Sequence, residues 1–321
     1  MNNSFWKNRA VFITGGTGLL GSELVSQLVA NEANVVAAVR DNVSKSRFFI
    51  ENLQNKVTVV HGDVADFSFV ERVIGEYEVD TVFHLAAQTI VRIANASPLS
   101  TFESNMRGTW NVLEAARLHS KKIRSVVVAS SDKAYGESKI LPYDEETQLK
   151  GKYPYDVSKT CTDLIAQSYW HTFKMPVNIT RCGNLFGPGD LNFSRIIPGT
   201  ILSVMRAEAP IIRSDGKFIR NYFFTKDAAA GYLTISENVD KIAGEAFNLG
   251  TEERFSVIEI TKMILKLMDS SLESVIKNEA TNEIYEQYLS IQKAKEKLGW
   301  TAKYSTEEAL KETINWYKKY V

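Results

Sequence analysis

A parallel, doubly wound α/β sheet with a smaller mixed α/β lobe is predicted for this 321-residue chain by three features. Short apolar, β-branched runs alternate with helical periodicity as far as about residue 182. A glycine cluster, Gly15-Gly16-Thr17-Gly18-Leu19-Leu20-Gly21, falls between the first such run and the first helix. Beyond residue 182 glycine and proline become denser, and strand-like pieces interleave with helices.

Composition narrows the function classes. Lys plus Arg (38) balances Asp plus Glu (38), so no net field draws the chain to nucleic acid or an anionic membrane. No apolar run reaches membrane-spanning length, and the opening residues Met1 to Trp6 do not read as a signal peptide. Two cysteines, Cys161 and Cys182, give no disulfide framework and suit a reducing cytoplasm. The four histidines (His61, His84, His119, His171) lack metal-ligand spacing, so no metal is expected.

Taken in order, Ala10 to Thr14 is a short buried strand and Leu19 to Ala30 a helix, with Leu20, Leu24 and Leu28 on one face. Glycines between them permit a tight turn and let backbone amides approach a pyrophosphate at the positive helix end. Gly15, Thr17, Gly18, Leu19 and Leu20 are therefore candidate cofactor contacts in a Rossmann-type domain. The second strand, Asn34 to Val39, ends in Arg40-Asp41. Arg40, helped by Lys45 or Arg47, suits a ribose 2′-phosphate, whereas Asp41 suits free ribose hydroxyls; the reading leans to NADP, with NAD possible. A third strand, Val57 to Val60, leads to Asp63 and Val64, with Asp63 either a helix cap or an adenine contact. A fourth strand, Asp80 to Leu85, runs into Ala86, Ala87 and Gln88, small enough residues for the backbone to pass close to a cofactor. One helix is expected from about Pro98 to His119, carrying Asn105 either as a buried structural amide or as an organiser of the active-site backbone. A sixth strand, Val177 to Thr180, follows a long helix from about Tyr155 to Phe173. The later pieces are strand-like at Ala209 to Arg213 and Phe218 to Phe224, and helical near 225–237, 256–269 and 305–320. The division expected is a dinucleotide-binding domain over 1–182 and a mainly substrate-binding lobe over 183–321, interleaved with it. Asn184, Arg195 and Arg220 are candidates to meet phosphates there.

The most chemically loaded stretch runs from Val126 to Lys159. A fifth strand, Val126 to Ala129, gives way to Ser130, Ser131, Asp132 and Lys133, where a parallel sheet collects its reactive groups. Tyr155 and Lys159 are four apart, on one face of a helix. A phenol with a free pKa of about 10 is a poor base, but a neighbouring ammonium stabilises its phenolate. Ser131, Tyr155 and Lys159 can thus take a proton from an alcohol as its hydride leaves. Tyr135 and Glu137, just beyond the triplet, are candidates to line the pocket.

These residues resemble the extended short-chain dehydrogenase/reductase family, the nucleotide-sugar epimerases and dehydratases. The likeness runs nearly end to end, through TGGTGLLG, HLAAQ at His84, NMRGT at Asn105, YDVSK at Tyr155, RCGNLFGPGD from Arg181 and the tail KAKEKLGWTAKYSTEEAL. Lys133 in the third place of Ser131-Asp132-Lys133, where hexose 4,6-dehydratases usually carry Glu, resembles the CDP-glucose 4,6-dehydratase subgroup, although YPYDVSK fits that subgroup less well. The resemblance implies a nucleotide-sugar substrate contacted by Gln88, Ser131, Asn184, Arg195 and Arg220, with Tyr155, Lys159 and Asn105 also at the cofactor. It implies that Tyr155 takes the C4 hydroxyl proton, that protonated Asp132 serves the departing C6 hydroxyl, and that a 4-keto-6-deoxy sugar results. Lys133 can be the C5 base only as a neutral amine; charged, it would stabilise the enolate instead. Alternatives are a UDP-GlcNAc-type dehydratase with a 5,6-ene or C5-inverted product, a C4 epimerase, and a silent NADP-binding module. Relatives also imply a homodimer paired through the helices near 100–118 and 155–173.

Overall fold

The computed structural model describes residues 3–138, 140–279 and 284–321. Six parallel strands come from the first part of the chain: β1 (Ala10–Thr14), β2 (Asn34–Val39), β3 (Thr58–His61), β4 (Thr81–His84), β5 (Ser125–Ala129) and β6 (Val177–Cys182). They lie in the order β6-β5-β4-β1-β2-β3, and a seventh strand, Ala246–Leu249, pairs in parallel with β6 at the edge. Sequence pattern does not predict that seventh strand. It is four residues long and carries Asn248 among its apolar neighbours, too little for periodicity to register.

Alternation of side chains explains why the strands are apolar throughout. Val11, Ile13, Val35, Ala37 and Val39 point to one face, against Leu24 and Leu28 of the helix Leu19–Ala30 and Leu233 of the helix Thr225–Glu237. Phe12, Val36, Val82, Val126 and Val128 point to the other, against Val73, Val112 and Ala166 of the helices Phe67–Glu76, Gly108–Leu118 and Pro154–Phe173. Both faces are covered, as an all-parallel sheet requires. The strand order reverses between β1 and β4, the place where a sheet of this kind forms its ligand crevice at the carboxyl edge.

The single helix expected from Pro98 to His119 is instead a short helix Pro98–Phe102, a π-turn Glu103–Arg107 and the helix Gly108–Leu118. The Asn105 carbonyl accepts bonds from the hydroxyls of Thr109 (2.5 Å) and Thr162 (3.0 Å), and such competition with the backbone ladder favours a local widening of the helix. Past β6, a lobe has its own core: Ile197 and Ile201 of the helix Ile196–Met205, Ile260 and Ile264 of Val257–Leu267, and Leu310 and Ile314 of Thr306–Tyr320. Ser256 with Glu259 and Ser305 with Glu308 form reciprocal capping boxes that start the last two of these helices. Short strands hold the lobe over the crevice: Asn184–Phe186 with Tyr222–Phe224, and Ile219–Arg220 between Phe255–Ser256 and Glu286–Gln287.

Candidate functional site

The crevice begins at the glycine turn. Gly15 has φ +73°, and a Cβ there would stand 2.8 Å from the Ala86 nitrogen, so the turn after β1 presses directly on the chain leaving β4. The Gly18 nitrogen donates to the Gly15 carbonyl at 3.0 Å. Gly18 also caps the helix Leu19–Ala30 with no side-chain bond and no acidic residue in the first turn, which leaves the amides at that end for an anion. Thr17 and Leu19 are half-buried at this turn and Leu20 faces inward. Across the crevice, Leu85, Ala86, Ala87 and Gln88 line the β4 end, all half-buried. A cradle that side-chain carbons would fill, facing an uncapped helix, fits a dinucleotide pyrophosphate.

A hydrogen-bonded chain fixes these two loops together. Thr14 Oγ1 accepts from the Leu85 and Ala86 amides at 3.1 and 3.2 Å, so its own proton goes to His84 Nδ1 at 2.8 Å. The other imidazole nitrogen must then donate to Thr109 Oγ1 at 3.1 Å. Burial, with the Lys159 charge adding to it, pushes His84 down to about 3, so the ring is neutral and structural. Asn105 extends the bracing. Its Oδ1 accepts from the Gln88 amide at 2.7 Å, and its Nδ2 donates to the Gln88 carbonyl and to Ser158 Oγ. The buried amide thus organises the loop at Gln88, and the two roles expected for it are one.

At the ribose end the structure alters the expectation. Arg40 is exposed, donates through Nε to Asp41 at 2.7 Å and lies 3.9 Å from Asp63. Arg47 is not available to a 2′-phosphate: it is buried and forks between Glu23 and Glu51, because a guanidinium inside the fold must be paired. Lys45 is exposed. Asp63 accepts from the Ala65 amide, while the cap of the next helix is Asp66. Val64 is buried against Gly108, where any side chain would collide with it.

The reactive groups gather beyond β5. Ser131 Oγ donates to Asp132 Oδ1 at 3.1 Å and accepts from the Lys133 amide at 3.2 Å, and it lies close enough to the Tyr155 phenol to act on its ionisation. Burial raises the Asp132 carboxyl above its usual range, against the pull of Lys133, the Ser131 bond and Arg220. Tyr155 is pushed up to about 12 by burial, opposed by the Ser131 bond and by Arg195. The amine expected to acidify it, Lys159, is buried, donates to the Ala129 carbonyl at 2.7 Å and is pulled down to about 8 by desolvation. Lys133 is half-exposed and donates to Gln287 Oε1 at 2.6 Å.

The lobe's arginines divide. Arg195 shares Nη1 between the Leu185 carbonyl and Asp190, keeps its side chain 40% exposed and acts on Tyr155 through its charge. Arg220 is buried and donates to the carbonyls of Ile219, Ile284 and Tyr285, so it braces the lobe where a free phosphate clamp was expected. Asn184 is half-buried at the start of its strand. Tyr135 does not line a pocket. It is fully buried, stacked on Tyr143 at 5.0 Å, and donates to Asn248; Glu137 is exposed. Sequence reasoning missed Gln287 and Asp156. The first lies in a two-residue strand with no signal; the second adjoins Tyr155 in YDVSK and is buried within reach of the Lys133 charge.

Comparison with known proteins agrees with this geometry. A family model described as GDP-mannose 4,6 dehydratase matches residues 12–313. Human dTDP-D-glucose 4,6-dehydratase is 29% identical over 97% of this chain and 90% of its own. CDP-glucose 4,6-dehydratase of Salmonella typhimurium is 28% identical over 100% of this chain and 94% of its own. Among solved structures, a UDP-glucose 4-epimerase of Thermotoga maritima with UDP-glucose superposes with TM-score 0.89 at 27% identity, covering 97% of this chain and 99% of that one. A dTDP-glucose 4,6-dehydratase of Streptomyces venezuelae with NAD bound gives 0.86 at 26% identity, covering 97% of both. The Rossmann-type chain belongs to the nucleotide-sugar 4,6-dehydratase and epimerase family of the short-chain dehydrogenases/reductases.

Proposed function

We propose that the protein is a nucleotide-sugar 4,6-dehydratase that removes water from an NDP-hexose of the CDP-glucose type. The observation that carries this reading is Asp132: buried, hydrogen-bonded by Ser131, and with a carboxyl that burial shifts towards its protonated form. Loss of a C6 hydroxyl requires such a donor, and a plain C4 epimerase has no hydroxyl to expel. Bound at the glycine turn, the nicotinamide cofactor would accept hydride from C4 and return it at C6. Around it, Tyr155 takes the C4 hydroxyl proton, the C5 proton passes to water, Asp132 protonates the departing C6 oxygen so that water leaves, and a solvent proton returns to C5 as hydride adds at C6. Lys159 is tied to the Ala129 carbonyl, one helical turn beyond Tyr155. Gln88 and Arg195 hold the substrate, Arg195 at the phosphates.

NAD is the cofactor this reading favours. Arg40 stands between two carboxylates, and adding a 2′-phosphate beside Asp41 and Asp63 would bring like charges together. We also infer a homodimer through the helices near 100–118 and 155–173, where Leu99, Trp110, Leu118, Leu164 and Phe173 are exposed.

The test is incubation of the pure protein with CDP-glucose, dTDP-glucose, GDP-mannose, UDP-glucose and UDP-GlcNAc. One sugar should yield a product lighter by one water, with solvent deuterium at C5. Appearance of C4 epimers without water loss defeats the dehydratase reading.

A further inference from the structure

Gln287 comes from the lobe, in the strand Glu286–Gln287, paired in register with Arg220. It is 1% exposed. Its carboxamide oxygen accepts from Lys133 Nζ at 2.6 Å, whereas its Nε2 is buried without a hydrogen-bond partner. An orphaned buried amide is costly, and a glutamine serving only the packing would satisfy both ends. The alternative orientation would turn the amide protons on the ammonium, which has donors and no acceptor. The oxygen-first arrangement gives the Lys133 amine an acceptor, which favours its protonated form. The other groups facing this amine have the same preference. Asp132 on its own turn and Asp156 on the helix Pro154–Phe173 both feel the Lys133 charge, with Arg220 acting on Asp132 from the lobe.

We propose that Gln287 is the positioning residue for Lys133: delivered by the lobe, its carboxamide oxygen fixes the direction of the Lys133 amine and keeps it an ammonium beside Asp132 and Tyr155. The role of Lys133 toward a sugar rests on the dehydratase reading above; the state and direction of the amine do not.

The experiment has one arm that needs no substrate. Protein labelled with carbon-13 at lysine Cε, with Lys133 assigned from a Lys133→Arg sample, is titrated by NMR for wild type and Gln287→Met. Methionine keeps the volume and removes the acceptor, and thermal unfolding checks that the variant is folded. The Lys133 amine should lose its proton at least about one pH unit earlier in the variant; an unchanged titration overturns the proposal whatever the enzyme acts on. In the second arm, on whichever sugar wild type dehydrates, Gln287→Met should lower kcat about 100-fold with KM little changed. Gln287→Glu, which restores an acceptor oxygen, should recover most of it and move the alkaline limb of the pH profile upward. A raised KM with no rescue by Glu is the outcome of a merely structural residue and refutes the assignment. Absence of water loss from any sugar in wild type would sink the dehydratase reading alone.

Discussion

The buried ion pair between Asp163 and Arg181 offers a quantitative test of how the reactive turn is held. Arg181 donates through Nε and Nη2 to the two oxygens of Asp163, at 2.8 and 2.9 Å, and through Nη1 to Tyr135 Oη and the Glu145 carbonyl, both at 3.0 Å. The side chains are 3% and 0% exposed. Tyr135 closes the turn Asp132–Tyr135, so the pair anchors that turn to β6. Replacing Asp163 by Leu leaves a guanidinium buried with only neutral acceptors, which costs about 3–5 kcal/mol. With net stabilities of about 5–15 kcal/mol, that is a large share. At about 2 °C per kcal/mol for a chain of this size, the melting temperature should fall by roughly 6–10 °C. The double variant Asp163→Leu with Arg181→Met removes both charges and should regain most of the loss. Its kcat should stay low, because Tyr135 no longer has the Arg181 donor that sets the turn. Calorimetric or circular-dichroism melting of the two singles and the double reads the coupling directly. A single variant that melts within a degree of wild type, or a double no better than Asp163→Leu, refutes the reasoning.

Four further outcomes follow from the same geometry. Tyr155→Phe removes the acid–base hydroxyl and should lower kcat by about 10²- to 10⁴-fold while substrate binding, read by calorimetry, persists. Lys159 titrates near 8 in the fold against 10.5 unfolded, so below pH 8 the buried ammonium is a full burden that is relieved as pH rises towards 10.5. Relative to Lys159→Met, wild type should therefore gain up to about 3 kcal/mol of denaturant stability between pH 7 and 10; a flat difference refutes this. Arg40→Ala should leave NAD affinity within about twofold, and a selective fall in NADP affinity with tighter NADP than NAD in wild type would restore the 2′-phosphate reading. Leu164→Glu, on the exposed helix face, should halve the mass seen by light scattering, and a wild-type monomer would dispose of the dimer.

Much of the architecture was legible because its causes are local. The β1 run, the glycine turn and the Leu19–Ala30 helix are adjacent in the chain, and the two burial faces of each strand make it apolar at every position. The capping boxes at Ser256 and Ser305 likewise announce helices from four residues. What escaped notice was decided across the fold. The edge strand Ala246–Leu249 exists because β6 offers it a ladder, and the π-turn at Asn105 exists because Thr162, on another helix, bonds its carbonyl. Arg47 looked like a phosphate ligand in SKSR, yet Glu23 and Glu51 claim it, and neither pairing has a signature in spacing.

The proton chemistry shows the same division. Ser131, Asp132, Tyr155 and Lys159 were readable as types in a pattern, but their states are consequences of burial. The phenol and the amine were expected to help each other directly; the fold instead desolvates both, moving Tyr155 up to about 12 and Lys159 down to about 8. With the phenol protonated at ordinary pH, the free protein holds its base in the wrong form. On the proposed reading, a nicotinamide bound at the glycine turn would bring a positive charge towards the phenol and favour its phenolate. The pH at which isolated Tyr155 ionises, followed by its ultraviolet difference spectrum against Tyr155→Phe, should accordingly fall on adding NAD. An ionisation indifferent to NAD would mean that the charge acting on the phenol comes from Arg195 and the lobe instead.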